Sequence, residues 1–314
     1  MRLESAVAAV SVLNYGAITR SWEVHAQGKP LSVVLGYKDL HQYLADPFYL
    51  GAIVGRVANR TANGRFRLNG KTCQLTQNEG RHHLHGGIKG LGRRLWQMER
   101  DGARRLRLRY LSPDGEEGYP GTVRFTVDMA LSGSRLTYDM RAVPDRPTPI
   151  NLAQHNYYNL AGGQGDIFDH SIRIQAAQYT PTDGEGIPTG QVCDVEGTPL
   201  DLRKTVALHR VDPERKGIDS NLLFDPGRDR KKPVAELRAP NGLRLRMWSD
   251  QPGLQLYTGA GLKRPAFRAF TGMCLEPQYP PDCLNNPGFC AIIATPETPY
   301  RQVLTVDING DDAG

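Results

Sequence analysis

This chain is a succession of short β-branched, aliphatic or alternating runs, and sustained helical periodicity is missing from it. That pattern restricts it to a fold made of strands. The runs are Val7–Leu13, Ser32–Tyr37, Leu106–Tyr110, Val123–Leu131, Arg135–Val143, Ser171–Ala176, Leu243–Trp248, Gly253–Tyr257 and Val303–Ile308. Asn69-Gly70 lies between two such segments and predicts a two-residue hairpin turn, with Ser132-Gly133-Ser134 and Asn241-Gly242 as further turn signals. Only Leu40–Leu44 and Asp212–Lys216 read as single helical turns. Gly (34) and Pro (22) are enriched in the 314 residues, as suits many strands joined by tight turns. No Ser-rich linker, charge block or repeat divides the chain, and its hydrophobic content of 39% is enough for an extensive core. The expectation is one all-β domain over residues 1–314, with two large antiparallel sheets packed together and very little helix.

The net charge of +6 invites a nucleic-acid reading. However, the basic residues alternate with apolar ones, as in Arg105-Leu106-Arg107-Leu108-Arg109, so in a strand they expose one basic face. With no nucleic-acid motif or aromatic stripe, nucleic acid is not expected as a partner. Cys73, Cys193, Cys274, Cys283 and Cys290 are odd in number and lack C-x-x-C spacing, which predicts free buried thiols in a reducing, cytoplasmic compartment. The N-terminal stretch carries Arg2 and Glu4 and reads as a first strand rather than a signal peptide. No apolar run is long enough to span a bilayer, so no membrane partner is expected.

Chemistry concentrates in a few places. Asn151–Gly163 carries His, two Tyr and several amides with few aliphatics, a poor core but a good surface for binding hydroxyls. Taken alone it also suits a loop with satisfied polar groups. If extended, it places His155, Tyr157 and Asn159 on one face, with Gln154, Asn156 and Tyr158 on the other. Far down the chain, Met273-Cys274-Leu275-Glu276 sets a lone carboxylate in an apolar stretch, where ionised groups are rarely left unpaired. One imidazole and one carboxylate are the minimum for moving two protons at neutral pH.

Other segments are open to more than one reading. Asn59-Arg60 follows a small-residue run, and its donors suit hydroxyls or a carboxylate; a twisted strand with exposed arginines is the alternative. In His82-His83-Leu84-His85-Gly86-Gly87, an extended backbone would put His83 and His85 on one face. Two imidazoles without a nearby third ligand make a weak zinc set, so no metal is expected and His85 is read as a hydrogen-bonding site residue. Ser112–Gly121 reads as a structured rim loop, since the calcium-loop spacing is absent. Asp219 lies in a polar turn suited to gripping vicinal hydroxyls, or is a plain surface acid. Gln255 and Tyr257 share a strand face, either as a pocket floor or as ordinary sandwich residues.

These segments, in this order, resemble the aldose 1-epimerase family. The matching blocks are Gly55–Gly64 (GRVANRTANG), Leu84–Gly87 (LHGG), Ser112–Gly121 (SPDGEEGYPG), Asn151–Gly162 (NLAQHNYYNLAG), Ile187–Gly190 (IPTG), Gln251–Gly259 (QPGLQLYTG) and Cys274–Phe289 (CLEPQYPPDCLNNPGF). The resemblance implies a β-supersandwich with an open sugar cleft that interconverts the α and β anomers of free aldoses such as galactose or glucose. It implies Glu276 as general base and His155 as general acid, with Arg60, His85, Tyr157, Asp219 and Gln255 binding or polarising the sugar and Asn59 beside them. No cofactor is implied, and the partner is a free monosaccharide bound by a monomer or homodimer. Ser220 stands where the family usually has His, Ala260 where Asn is common, and Asn156 and Tyr158 where Ser and Phe are common. His155 is expected to stay protonated near neutrality, favoured by a nearby carboxylate. The competing readings are a glycoside hydrolase using Asp219 with Glu276, a phosphosugar epimerase holding phosphate on Arg93-Arg94, and a non-catalytic sugar-binding module.

Overall fold

Strand propensity and alternation resolve into three main sheets in the computed structural model, which describes residues 1–26, 28–263, 265–289 and 291–310. The largest has nine antiparallel strands. In spatial order they are Gln97–Arg100, Arg105–Ser112, Val123–Ser132, Arg135–Pro144, Tyr300–Gly310, Leu243–Ser249, Ala235–Arg238, Ser171–Ile174 and Val206–Ala207. The second sheet runs Tyr157–Tyr158, Met273–Gln278, Gly253–Tyr257, Asp219–Phe224, Ala176–Thr180 and Cys193–Asp194, again antiparallel. A four-stranded sheet holds the N-terminal residues Arg2–Glu4, Ala8–Val12, Thr19–Ala26 and Lys29–Ser32. Leu222, Leu254, Leu256, Met273 and Leu275 of the six-stranded sheet share one buried cluster with Tyr138, Met247, Leu304 and Val306 of the nine-stranded sheet. The two large sheets are therefore layers over a common core, as the alternating pattern requires.

Asn69-Gly70 turns with both residues at positive φ (48° and 79°), the two-residue geometry that matches strand twist. Ser132 pairs with Arg135 across the Gly133-Ser134 turn. Three expected elements differ. Ser32–Tyr37 is not one strand: Val33 N–H bonds Trp22 O in the N-terminal sheet, then Leu35 N–H bonds Tyr157 O beside the other sheet. The segment changes partners and so forms no continuous ladder. Ser171–Ala176 likewise divides, Ser171–Ile174 entering the nine-stranded sheet and Ala176 starting a strand of the six-stranded one. The helical turn expected at Asp212–Lys216 falls instead at Leu208–Val211. Asp212 ends it, its carboxylate accepting the Lys216 and Gly217 N–H groups in a loop. The four described cysteines form no disulfide, but Cys73 and Cys193 are only half-buried, because both lie on hairpin strands with one face in solvent; Cys290 is outside the described residues.

Candidate active site

The six-stranded sheet has one face on the common core, and its other face supplies the wall of a cleft. In Met273-Cys274-Leu275-Glu276 the pleat sends Met273 and Leu275 into the core, so Cys274 and Glu276 project from the opposite face. That explains a carboxylate inside an apolar run. On the next strand Leu254 and Leu256 face the core and Gln255 and Tyr257 the cleft; Gln255 stands directly opposite Glu276. Asp219 pairs with Tyr257 one strand further on, at the first position of its strand rather than in a turn. On the other flank, Tyr157 is registered with Cys274. The alternation expected around His155 holds as far as Tyr158: His155 and Tyr157 line the cleft, while Asn156 and Tyr158 point behind it, bonded to each other at 3.3 Å. Asn159, expected on the cleft face, is not part of the lining, and its amide donates to Thr271 O.

The cleft has a volume of about 180 Å³ and also receives Pro47, Phe48, Tyr49, Asn59, Arg60, Leu84 and His85. His155 Nε2 lies 3.8 Å from Glu276 Oε1, and both side chains are almost wholly buried. Burial penalises each isolated charge: the imidazole is pushed down to about 4 and the Glu276 carboxyl well above its usual range, with Asp219 adding to the latter. His155 is thus not held as a free-standing imidazolium, as the sequence led one to expect. At 3.8 Å the two groups are close enough for one proton to be shared between them. Glu276 Oε2 and, on the neighbouring strand, Gln255 Oε1 are buried acceptors with no partner among the described residues.

Beside the pair, the Asn59 main-chain N–H donates to His85 Nδ1 at 3.1 Å. A nitrogen that accepts cannot carry the proton of a neutral ring, so His85 presents Nε2–H as its donor. Burial, then the charges of His155 and Arg60, hold it well below an ordinary histidine and keep it neutral. The ring is braced by Tyr49 at 4.8 Å and His155 at 5.2 Å between centroids. His83 does not share its face. His85 adopts φ +51°, which breaks the extended pattern, and the His83 ring turns inward to Thr76 O and the Tyr119 hydroxyl. Arg60 is clamped by Glu79 through two bonds of 2.6 and 2.7 Å and stands 3.9 Å from Asp219, which itself accepts from Gln255 Nε2 at 2.6 Å. Asn59 Oδ1 takes the Arg60 N–H and fixes the turn between them.

Several expectations fall away from the cleft. Ser112–Gly121 contributes nothing to its lining. The buried Arg56 guanidinium instead ties that loop down, donating to Ser112, Pro113, Pro120 and Gly121. Arg94 pairs with Glu116 and Arg93 lies over the Tyr49 ring, and neither is among the residues that line the cleft. Conversely, Glu79 and the Pro47-Phe48-Tyr49 wall were not anticipated. Glu79 sits in a polar stretch that carries no local signal, whereas two adjacent aromatics after Pro47 do mark a surface available to cover an apolar ligand face.

Fold and cleft together define a class: a β-supersandwich whose smaller sheet carries a buried imidazole–carboxylate pair within a ring of hydrogen-bonding groups. The chain belongs to the aldose 1-epimerase family, whose model matches residues 1–307. It is 39% identical to the galactose mutarotase of Rattus norvegicus over 305 residues, covering 93% of this chain and 88% of that protein. It is 33% identical to the aldose 1-epimerase of Escherichia coli K12, covering 88% and 85% respectively. Among solved structures, galactose 1-epimerase from Lactobacillus acidophilus NCFM superposes with a TM-score of 0.87 at 27% identity, covering 98% of this chain and 93% of that one. An aldose epimerase homologue from C. elegans shares the fold at a TM-score of 0.94 and 24% identity, with 99% and 98% covered.

Proposed function

We propose that this chain is an aldose 1-epimerase that interconverts the α and β anomers of free aldoses, with His155 and Glu276 exchanging the protons. The observation that carries this reading is the 3.8 Å approach of the two side chains, with Glu276 Oε2 buried and unpartnered at the cleft. Opening a cyclic hemiacetal removes the O1 proton and delivers one to the ring oxygen. Ionised Glu276 takes the first while the C1–O1 bond becomes a carbonyl; the C1–ring-oxygen bond breaks as His155 Nε2–H supplies the second. The pair then holds carboxylic acid and neutral imidazole, the distribution that burial favours. Rotation about C1–C2 presents the other carbonyl face, and the same transfers in reverse close the ring.

The surrounding groups have matching proposed roles. His85 Nε2–H donates to a sugar oxygen without competing for the proton. Arg60, Asn59, Asp219 and Gln255 bind hydroxyls, with the unpartnered Gln255 Oε1 accepting one. Tyr157 covers the side of His155, its ring 5.2 Å away. Charge argues against a phosphorylated sugar, because Arg60 is already neutralised by Glu79, and Asp219 and Glu276 are both acidic. The free thiols of Cys73, Cys193 and Cys274 support a reducing, cytoplasmic setting. The proposed partner is a free monosaccharide, and the proposed assembly a monomer or homodimer. Among the described residues no helix is long and apolar enough to cross a membrane.

Polarimetry tests the reading. Freshly dissolved α-galactose, α-glucose, L-arabinose and xylose are expected to relax faster with the protein than without it. Glu276→Gln is expected to lose ~10²–10⁴-fold in kcat with sugar binding retained. Near-normal rates in that variant refute the base assignment. Release of nitrophenol from aryl glycosides would instead favour the hydrolase, and sugar binding without faster relaxation the non-catalytic module.

A further inference from the structure

The proton exchange just described uses one nitrogen of His155, and the other faces a group with no assigned part. Cys274 Sγ lies 3.5 Å from His155 Nδ1, while Glu276 Oε1 approaches Nε2 on the far side of the ring. Both neighbours belong to one strand, two residues apart, on the same face of the sheet. The strand register fixes this sandwich further: Cys274 is paired with Tyr157, itself two residues beyond His155. All of these groups are buried, so the ring has little freedom to flip.

A neutral imidazole has one N–H, and its position decides what the ring does. With the hydrogen on Nε2, the ring has no lone pair facing Glu276 and cannot take up its proton. With the hydrogen on Nδ1, Nε2 is free to gain a proton from Glu276 and give it to the sugar. The Cys274 sulfur faces Nδ1 and has lone pairs able to accept its hydrogen, while the main-chain carbonyl of His155 already receives the Gly51 N–H.

We propose that Cys274 is a positioning residue for His155: its sulfur accepts the Nδ1–H, fixes that tautomer and leaves Nε2 as the nitrogen that exchanges protons. The two cleft histidines are then opposite tautomers, set by what meets Nδ1. A main-chain donor at His85 forces its hydrogen to Nε2; a sulfur acceptor at His155 keeps it on Nδ1. Sulfur suits the task because it is neutral. A carboxylate in its place would stabilise the imidazolium and hold the proton that must return to Glu276. This inference rests on reading His155 and Glu276 as the proton-exchanging pair.

Long-range proton–nitrogen NMR on histidine-labelled protein, with His155 assigned by its loss in His155→Asn, reads the tautomer without any sugar. The expected result is a protonated Nδ1 and a bare Nε2 in the unsubstituted protein and in Cys274→Ser, and a mixture in Cys274→Ala. Kinetically, Cys274→Ala is expected to lose about tenfold in kcat at unchanged KM. That is well short of the ~10⁴-fold loss when a charged orienting carboxylate is replaced in a serine protease, since a neutral sulfur orients more weakly. Cys274→Ser is expected to recover most of it. A hydrogen on Nε2 in the unsubstituted protein overturns the proposal. So does Cys274→Ala with unaltered tautomer, whether or not kcat falls, because packing alone then accounts for the cysteine. Failure of the underlying acid–base reading is distinguishable: it shows as near-normal polarimetric rates in Glu276→Gln, whatever the tautomer.

Discussion

His155 and Glu276 illustrate how burial changes what a residue type does. An ordinary histidine titrates near ~6.5, and an enzyme that relied on it as a lone acid would lose activity as pH rose through that value. Here burial lowers the imidazole to about 4 and raises the carboxyl above its usual range, so the single-proton state of the pair spans the interval between the two. Below that interval the pair holds two protons, one on each group, so Glu276 cannot accept from O1; above it the shared proton is gone and none is left for the ring oxygen. The expected kcat/KM profile therefore has its acid limb near 4 and its alkaline limb displaced above the usual carboxylate range, as measured by polarimetry across buffers. An acid limb at the ordinary histidine value would contradict this reading. The residue types were legible in the sequence, since an imidazole amid amides and a carboxylate amid aliphatics both stand out. Their protonation was not, because it depends on desolvation and on a contact across 121 positions.

Single strands and turns carry the precision of the site. Gly86, between His85 and the adjoining loop, has φ +86°, and a Cβ there would lie 1.7 Å from Gly55 O. Gly70, in the hairpin far from the cleft, has a similar φ of +79° but open space around it. Gly86→Ala is expected to cost about 3 kcal/mol or more and to lower kcat by displacing His85, whereas Gly70→Ala costs about 1 kcal/mol and leaves kcat intact. Urea denaturation beside polarimetry separates the two, and equal losses would show that contact, not φ alone, had been misjudged. The Asn69-Gly70 turn was readable because both residues announce it. The course of Ser32–Tyr37 was not, because its apolar run suits a strand, while its two neighbours belong to different sheets and are brought together only by the fold.

Across the whole molecule, stability and catalysis are carried by different faces of the same strands. The Tyr300–Gly310 strand sits inside the nine-stranded sheet, between Arg135–Pro144 and Leu243–Ser249, so the last described strand closes the core. Leu304 is fully buried there and borders no part of the cleft. Leu304→Ala is expected to lose about 2–5 kcal/mol in denaturant titration with KM unchanged, and a selective rise in KM would show that the core layer tunes the site. The basic face has an equally structural basis: Arg107 pairs with Asp128 and Arg109 with Glu99 across adjacent strands, so these alternating arginines are locally balanced. Sequence by itself determined the secondary-structure class, the antiparallel hairpins and, within regular strands, which side chains share a face, because these depend on a period of two and on turn residues a few positions apart. It failed at His83 and His85, where a positive φ breaks the period. Tertiary structure alone decided that Cys274, Glu276, His155 and His85 meet in one desolvated cleft, that Arg60 is spent on Glu79, and that Ser112–Gly121 serves Arg56 instead of the pocket. Those outcomes depend on strand order and on water exclusion, which no local run of residues encodes.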